Sequence, residues 1–269
     1  MTKYNLKYTL LIAFILCSLS LSAQSTITDT GTLKTTTVTP EKPSWFTLDL
    51  SAGYFVNYGD LALRYPEYTC FPLGVGYQHK NKWVASLDYN LIFGTSVDIA
   101  GYFDHISNEN GYMIDAKGQP AIINTYMRGF SARAHYSKII PLSKNPNFSD
   151  WNIQLGGGLG YSQTYILFQF DEGELPQLEG LNTGGYDRLS GGFQIAERFR
   201  IQYLNPNSLS FFLGVDLIQG STKSLRPWNF STNTADDQSM TEIAAGVNLG
   251  LVIPIKTRSR NTVPDYFME

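Results

Sequence analysis

Charge is scarce in this 269-residue chain: Asp, Glu, Lys and Arg make up 16% of it, against about a quarter in ordinary globular domains. The 20 basic and 23 acidic residues leave a net charge of −3, so no basic field points to nucleic acid as a partner. Cysteine is nearly absent. Cys17 falls in an apolar N-terminal run, and with that run removed Cys70 stands alone, which excludes a disulfide-stapled fold. The three histidines, His79, His105 and His135, are scattered, and with one Cys they offer no metal-ligand spacing. The glycines of LGGGLG lie inside an alternating strand pattern and not at a strand-to-helix turn, so no nucleotide-binding loop is read there. No cofactor is expected. After the N-terminal run, no apolar stretch is long enough to cross a bilayer as a helix, so any crossing is made by strands.

What is abundant fits that requirement. Aromatics reach 14%, with 17 Tyr and 16 Phe, beside 24 Gly. Few charges with many Tyr and Gly suit a β protein with a large apolar outer surface, not a helical enzyme. At the N-terminus, MTKYNLKY supplies Lys3 and Lys7, TLLIAFILCSLSLS an apolar core, and SAQ a cleavage site. This is the order of a secretory signal, assigned to residues 1–23, with cleavage near Ala23 or Gln24. Lipid attachment at Cys17 is disfavoured, since Leu16 precedes it and the apolar run continues past it. Residues 24–44 are Thr-rich and nearly free of apolar side chains, a flexible tether unable to build a core.

From Trp45 to Ile255 the pattern has period two. In MTEIAAGVNLGLVIPI, Met240–Ile255, one face is Ile243, Ala245, Val247, Leu249, Leu251 and Ile253, and the other is small or polar. Seven further segments behave alike: 45–55, 71–78, 83–93, 124–140, 151–162, 187–203 and 209–217. Eight strands are counted, with ten as the alternative. Short links at 79–82, 143–150 and 205–208 alternate with long connections near 58–70, 95–123, 168–186 and 220–238. Strict alternation of short turns and long loops is the layout of an antiparallel up-and-down transmembrane β-barrel, and Greek-key sandwiches do not keep it. Trp45, Trp83 and Trp151 each open an upward strand and are placed at the periplasmic interface, while Tyr54, Phe93, Tyr126 and Tyr161 fall near the opposite rim. The apolar face holds almost no charge, so lipid is placed outside.

With its signal ending LSAQ, its alternating strands, Trp at strand starts and the closing strand GVNLGLVIPI, the chain resembles the small OmpA/OmpX-like outer-membrane β-barrels of Gram-negative bacteria. The resemblance covers roughly residues 45–255 and implies an all-β barrel in the outer membrane, with outer-membrane lipid as its surroundings. It departs at the end. Such barrels often close on an aromatic residue, whereas here residues 256–269, KTRSRNTVPDYFME, follow as an expected periplasmic tail.

Eight strands enclose a space filled by side chains, not a wide pore. The inward alternation carries Asp49, Asp88, Asp216 and Glu242 against Arg133, Arg188, Arg198 and Arg200, read as an ion-pair network plugging the lumen. His135 and Ser137 share one strand face, the residue types of a hydrolase, but on the inward face and near the periplasmic end, so no catalytic residue is assigned. One residue breaks the pattern. Glu197 falls on the lipid face, beside Gly157 of the preceding strand, and is read as the contact for another envelope protein. The expected function is a non-enzymatic accessory or structural subunit of an envelope secretion or outer-membrane assembly complex. The alternative is a surface binding or adhesion barrel acting through its long loops.

Overall fold

In a computed structural model the described residues are 44–99, 101–142, 150–173, 175–205 and 209–255. The expected signal, the tail and all of the tether before Ser44 lie outside them. Eight long strands form one closed antiparallel ring. They are β1 (Trp45–Tyr58), β2 (Glu67–Gln78), β3 (Trp83–Gly94), β4 (Ile122–Pro141), β5 (Asp150–Glu172), β6 (Ser190–Leu204), β7 (Ser210–Ser224) and β10 (Ser239–Ile255). Between β7 and β10 the last long loop carries a small hairpin, β8 (Trp228–Asn229) and β9 (Thr234–Ala235). Each long strand pairs with its chain neighbours, and β10 closes on β1, so the barrel is up-and-down throughout.

Following the hydrogen-bonded partners once around gives its geometry. The path Trp45, Gln78, Val84, Ser137, Gly156, Arg198, Asp216, Gly246 returns to β1 at Phe55, ten residues from where it began. A shear of this size in eight strands tilts them by about 40° and gives roughly 2.5 Å of axial height per residue. Every residue can then be placed at a level above the rim of short turns, which in an outer-membrane barrel is the periplasmic one.

Alternation decides the two faces as expected. The outer one exposes Phe46, Leu50, Leu73, Val75, Leu87, Leu91, Leu159, Ile195, Leu213, Val247 and Leu249. The inner one buries Thr47, Asp88, Asn90, Arg133, Gln154, Gln194, Asp216 and Asn248. A soluble protein would bury the first set and wet the second. Aromatic neighbours form two outward clusters low on the wall, Phe46–Tyr77–Trp83–Tyr136 and Trp151–Tyr203–Phe211. Trp83 and Trp151 belong to them. Trp45 does not: it is 9% exposed and shares the inward alternation of Thr47, so it floors the lumen instead of meeting lipid.

Several strands run further than alternation indicates, β5 and β7 by the most. β5 continues past Ser162 to Glu172, and β7 past Leu217 to Ser224. The reason lies in the upper lumen. There the inward residues are themselves apolar, including Phe55, Ile92, Met127, Ile166 and Ile218. In β5 both faces carry apolar residues there, and in β7 residues 219–224 are polar or small on both, so the contrast that marks a strand in sequence fades. Above the points where pairing stops at Gly94–Met127 and Thr164–Ser190, β4 and β5 go on alone as a two-stranded tongue.

Candidate functional site

Three features carry chemistry: the filling of the lumen, the knot of long loops above it, and one acid on the outer wall.

The ionic layer lies about 10–20 Å above the periplasmic rim. Arg198 of β6 bridges two acids: its Nε and Nη2 donate to Asp216 of β7 at 3.2 and 3.1 Å, and Nη2 also lies 2.7 Å from Asp88 Oδ2 of β3. Arg200 Nη1 donates to Asp49 Oδ2 of β1 at 3.2 Å, and its guanidinium carbon sits 3.9 Å from the Phe212 ring centre. His135 of β4 enters the same layer, Nε2 lying 3.4 Å from Asp88 Oδ2. Neighbouring strands leave it room. A Cβ at Gly158 would stand 2.5 Å from His135 Nδ1, and one at Gly160 2.5 Å from Arg133 Cγ. LGGGLG is therefore the trough into which the β4 side chains lie.

Three of the eight expected network residues take no part in the lumenal ion pairs. Arg133 donates Nη2 to Asn90 Oδ1 at 2.9 Å, an amide and not a carboxylate. Glu242 accepts from Ser162 Oγ at 3.1 Å, roughly 10 Å above the ionic layer. Arg188 is not in the lumen at all: with φ 50° it turns up into the loops. There Nη2 donates to Ser231 Oγ at 2.5 Å, Nη1 lies 3.9 Å from Asp236, and the group covers the Tyr102 ring at 4.7 Å. The period-two pattern places Arg188 in a strand, but it lies two residues outside one, since β6 begins only at Ser190.

Above the ionic layer the lumen turns apolar and continues into the loops without a break. Phe55, Tyr68, Cys70, Ile92, Ile218 and Ala244 of the strands and Leu61, Tyr65, Phe103, Leu175, Leu178 and Tyr186 of the loops form one buried cluster. Polar braces tie the loops together. Arg226 binds Asp187 through both guanidinium arms, Nε to Oδ1 at 3.0 Å and Nη2 to Oδ2. That pairing raises the Arg226 pKa, and burial raises that of Tyr186. His105 Nε2 lies 2.9 Å from the Tyr186 hydroxyl. Phe103 packs on Phe168 and Tyr186, and Tyr186 on Phe230. Asp60 Oδ2 accepts from Thr241 N, and Arg64 O from Asp98 N, each at 3.0 Å, which brings in the first loop. Four loops thus form one cap. The sequence hides it, because its apolar residues are spaced by no strand or helix period.

On the outer wall Glu197 pairs across the sheet with Gly157 and Leu217, as expected. It lies about 18 Å above the periplasmic rim, in the middle of a lipid band about 25 Å tall. Leu159, Phe193, Ile195 and Phe199 surround it, all exposed. Among the described residues Glu197 has no hydrogen-bond or ion-pair partner.

His135 and Ser137 are both buried in the lumen, 4% and 2% exposed, and neither is open to the outer leaflet. Among the described residues no group of His, Cys, Asp and Glu could hold a metal ion.

A closed eight-stranded ring with an apolar outer belt and a polar filling defines the class: a small outer-membrane β-barrel protein. No protein-family model matches the chain, and no curated protein matches it. Among solved structures it is similar to Neisserial surface protein A, at 10% identity and a TM-score of 0.44, over 80% of this chain and 100% of that one. Ail, the attachment invasion locus protein of Yersinia pestis, solved with the heparin analogue sucrose octasulfate, matches at 12% identity and a TM-score of 0.36, over 78% and 97%. The outer membrane protein OprG from Pseudomonas aeruginosa matches at 11% and 0.34, over 81% and 98%. Likeness at this level carries no argument about activity, and the class stands on the ring and its two faces.

Proposed function

We propose that the protein is a non-enzymatic barrel of the Gram-negative outer membrane that holds a rigid recognition surface outside the cell. The observation that carries this reading is the cap: four loops with a shared apolar core and cross-loop ion pairs, seated on a plugged barrel. Loops that only connect strands need no such core, and recognition surfaces are commonly loops fixed on a rigid scaffold. The cap presents large side chains to solvent, Leu63, Tyr112, Trp228 and Phe230 among them. Its four loop segments, 59–66, 95–121, 173–189 and 225–238, hold ten acidic residues and four basic ones. The partner they suit is basic with an apolar anchor, opposite in charge to the heparin analogue bound to Ail.

The test is binding of the protein in nanodiscs to immobilised lysine-rich polypeptides and to heparin. Binding to the first, weakened by salt and by Trp228→Ala, is expected. Binding to heparin alone, or none that Trp228→Ala or trimming of 225–238 alters, would overturn the reading.

The accessory-subunit reading keeps one observation in its favour, the acid at Glu197.

A further inference from the structure

A carboxyl facing lipid at mid-membrane is costly, though less so than a basic side chain there. On this barrel the cost is not reduced from within. Every other charged strand residue at this depth points inward and meets a partner, as Asp49, Asp88, Arg198, Arg200 and Asp216 do. Glu197 points outward and meets none among the described residues. The wall around it is also shaped. Gly157 stands opposite, and a Cβ there would meet only the Ala196 carbonyl oxygen, at 3.4 Å, so the space outside it is open. Around this notch Phe193 is 80% exposed, Leu159 67% and Ile195 58%. The result is a shallow apolar seat with one acid at its centre.

We infer that this face of β5 and β6 docks the membrane-spanning wall of a second, different protein, which presents a basic side chain to Glu197. Charge decides the occupant. Lipid tails supply no donor. A second copy supplies no cation at this depth: of the outward bases of the described strands, Arg128 and Lys223 lie about 14–18 Å higher, near the extracellular rim, and Lys138 lies about 11 Å lower, near the periplasmic rim, where it donates to the Asn81 carbonyl. Two-fold pairing of this face would set Glu197 against Glu197. A different protein with a donor at mid-membrane satisfies the carboxyl, and an apolar surround strengthens that pairing because water is excluded from it. The inference is independent of what the cap binds, since the two surfaces do not overlap.

The experiment is site-specific photo-crosslinking in native outer membranes. The photoreactive residue replaces Leu159 or Phe199, on either side of the notch, or Leu73 on the opposite wall as control. The expected result is an adduct with one other envelope protein from Leu159 and Phe199 and none from Leu73. The crosslinked segment should carry a Lys or Arg at mid-membrane. Glu197→Leu should lower the adduct at least about tenfold, as truncating one member of a desolvated charge pair does. Glu197→Gln, of the same volume, should lower it as well. Glu197→Lys with an acid placed at the partner's donor position should restore it. Heat-modifiability on gels confirms that each variant barrel is folded. Adducts with lipid only, adducts with a second copy, a partner segment without a basic residue at mid-membrane, or adducts undiminished in both Glu197→Leu and Glu197→Gln would overturn the inference.

Discussion

At the scale of single residues, charge position separates structural from associative roles. Arg198 holds Asp88 and Asp216 together inside the barrel. Arg198→Ala leaves two buried carboxylates without their cation, and breaking a buried pair in this way costs about 3–5 kcal/mol. A fall of that order is expected in the urea unfolding free energy of the barrel in liposomes. Arg188→Ala should behave differently. Its contacts are Ser231, Asp236 and Tyr102, all in the cap. Barrel unfolding should stay within about 0.5 kcal/mol of the parent, while protease cleavage of 225–238 quickens. Glu197→Leu should stabilise the isolated barrel by about 1–2 kcal/mol, since an apolar side chain replaces an acid in lipid. That residue was legible in the sequence because it broke a regular pattern. Arg188 was misplaced because the pattern had already ended.

At the scale of elements, strand length and strand packing follow different rules. The trough of β5 is needed where Gly158 and Gly160 lie against His135 and Arg133. Gly158→Val would drive a branched side chain into the imidazole, and the refolded fraction on a heat-modifiability gel should fall severely. Gly185 has the corresponding role in the cap, where a Cβ would stand 2.0 Å from Phe230 Cδ2. Gly185→Val should open the 173–189 loop to protease with little change in barrel unfolding. The trough was visible in the sequence as small residues on an inward face. The upper halves of β5 and β7, and the β4–β5 tongue, were not. In β5 the inward Ile166 and Phe168 pack against the apolar core of the loops, and in β7 residues 219–224 are polar or small on both faces, so the period-two contrast is lost where the strands leave the membrane.

At the scale of the whole molecule, the lumen is stacked in layers: a floor with Trp45, an ionic middle, and an apolar top merged with the cap. Such a stack is closed twice over. In planar bilayers the protein should show no steady conductance. Deleting the cap loops alone should not open it, because the ionic layer still fills the bore. Appearance of a stable channel in the cap-deleted form would contradict the plug. The sequence by itself determined the ring of strands, the face given to lipid, the polar filling and the odd acid, because each is written in an alternation that one strand carries alone. Only the tertiary structure decided which charges meet, that Trp45 turns inward, and that four loops close into one cap. Those outcomes depend on the shear that sets strand levels against one another, and on contacts between residues far apart in the chain, which no local period records.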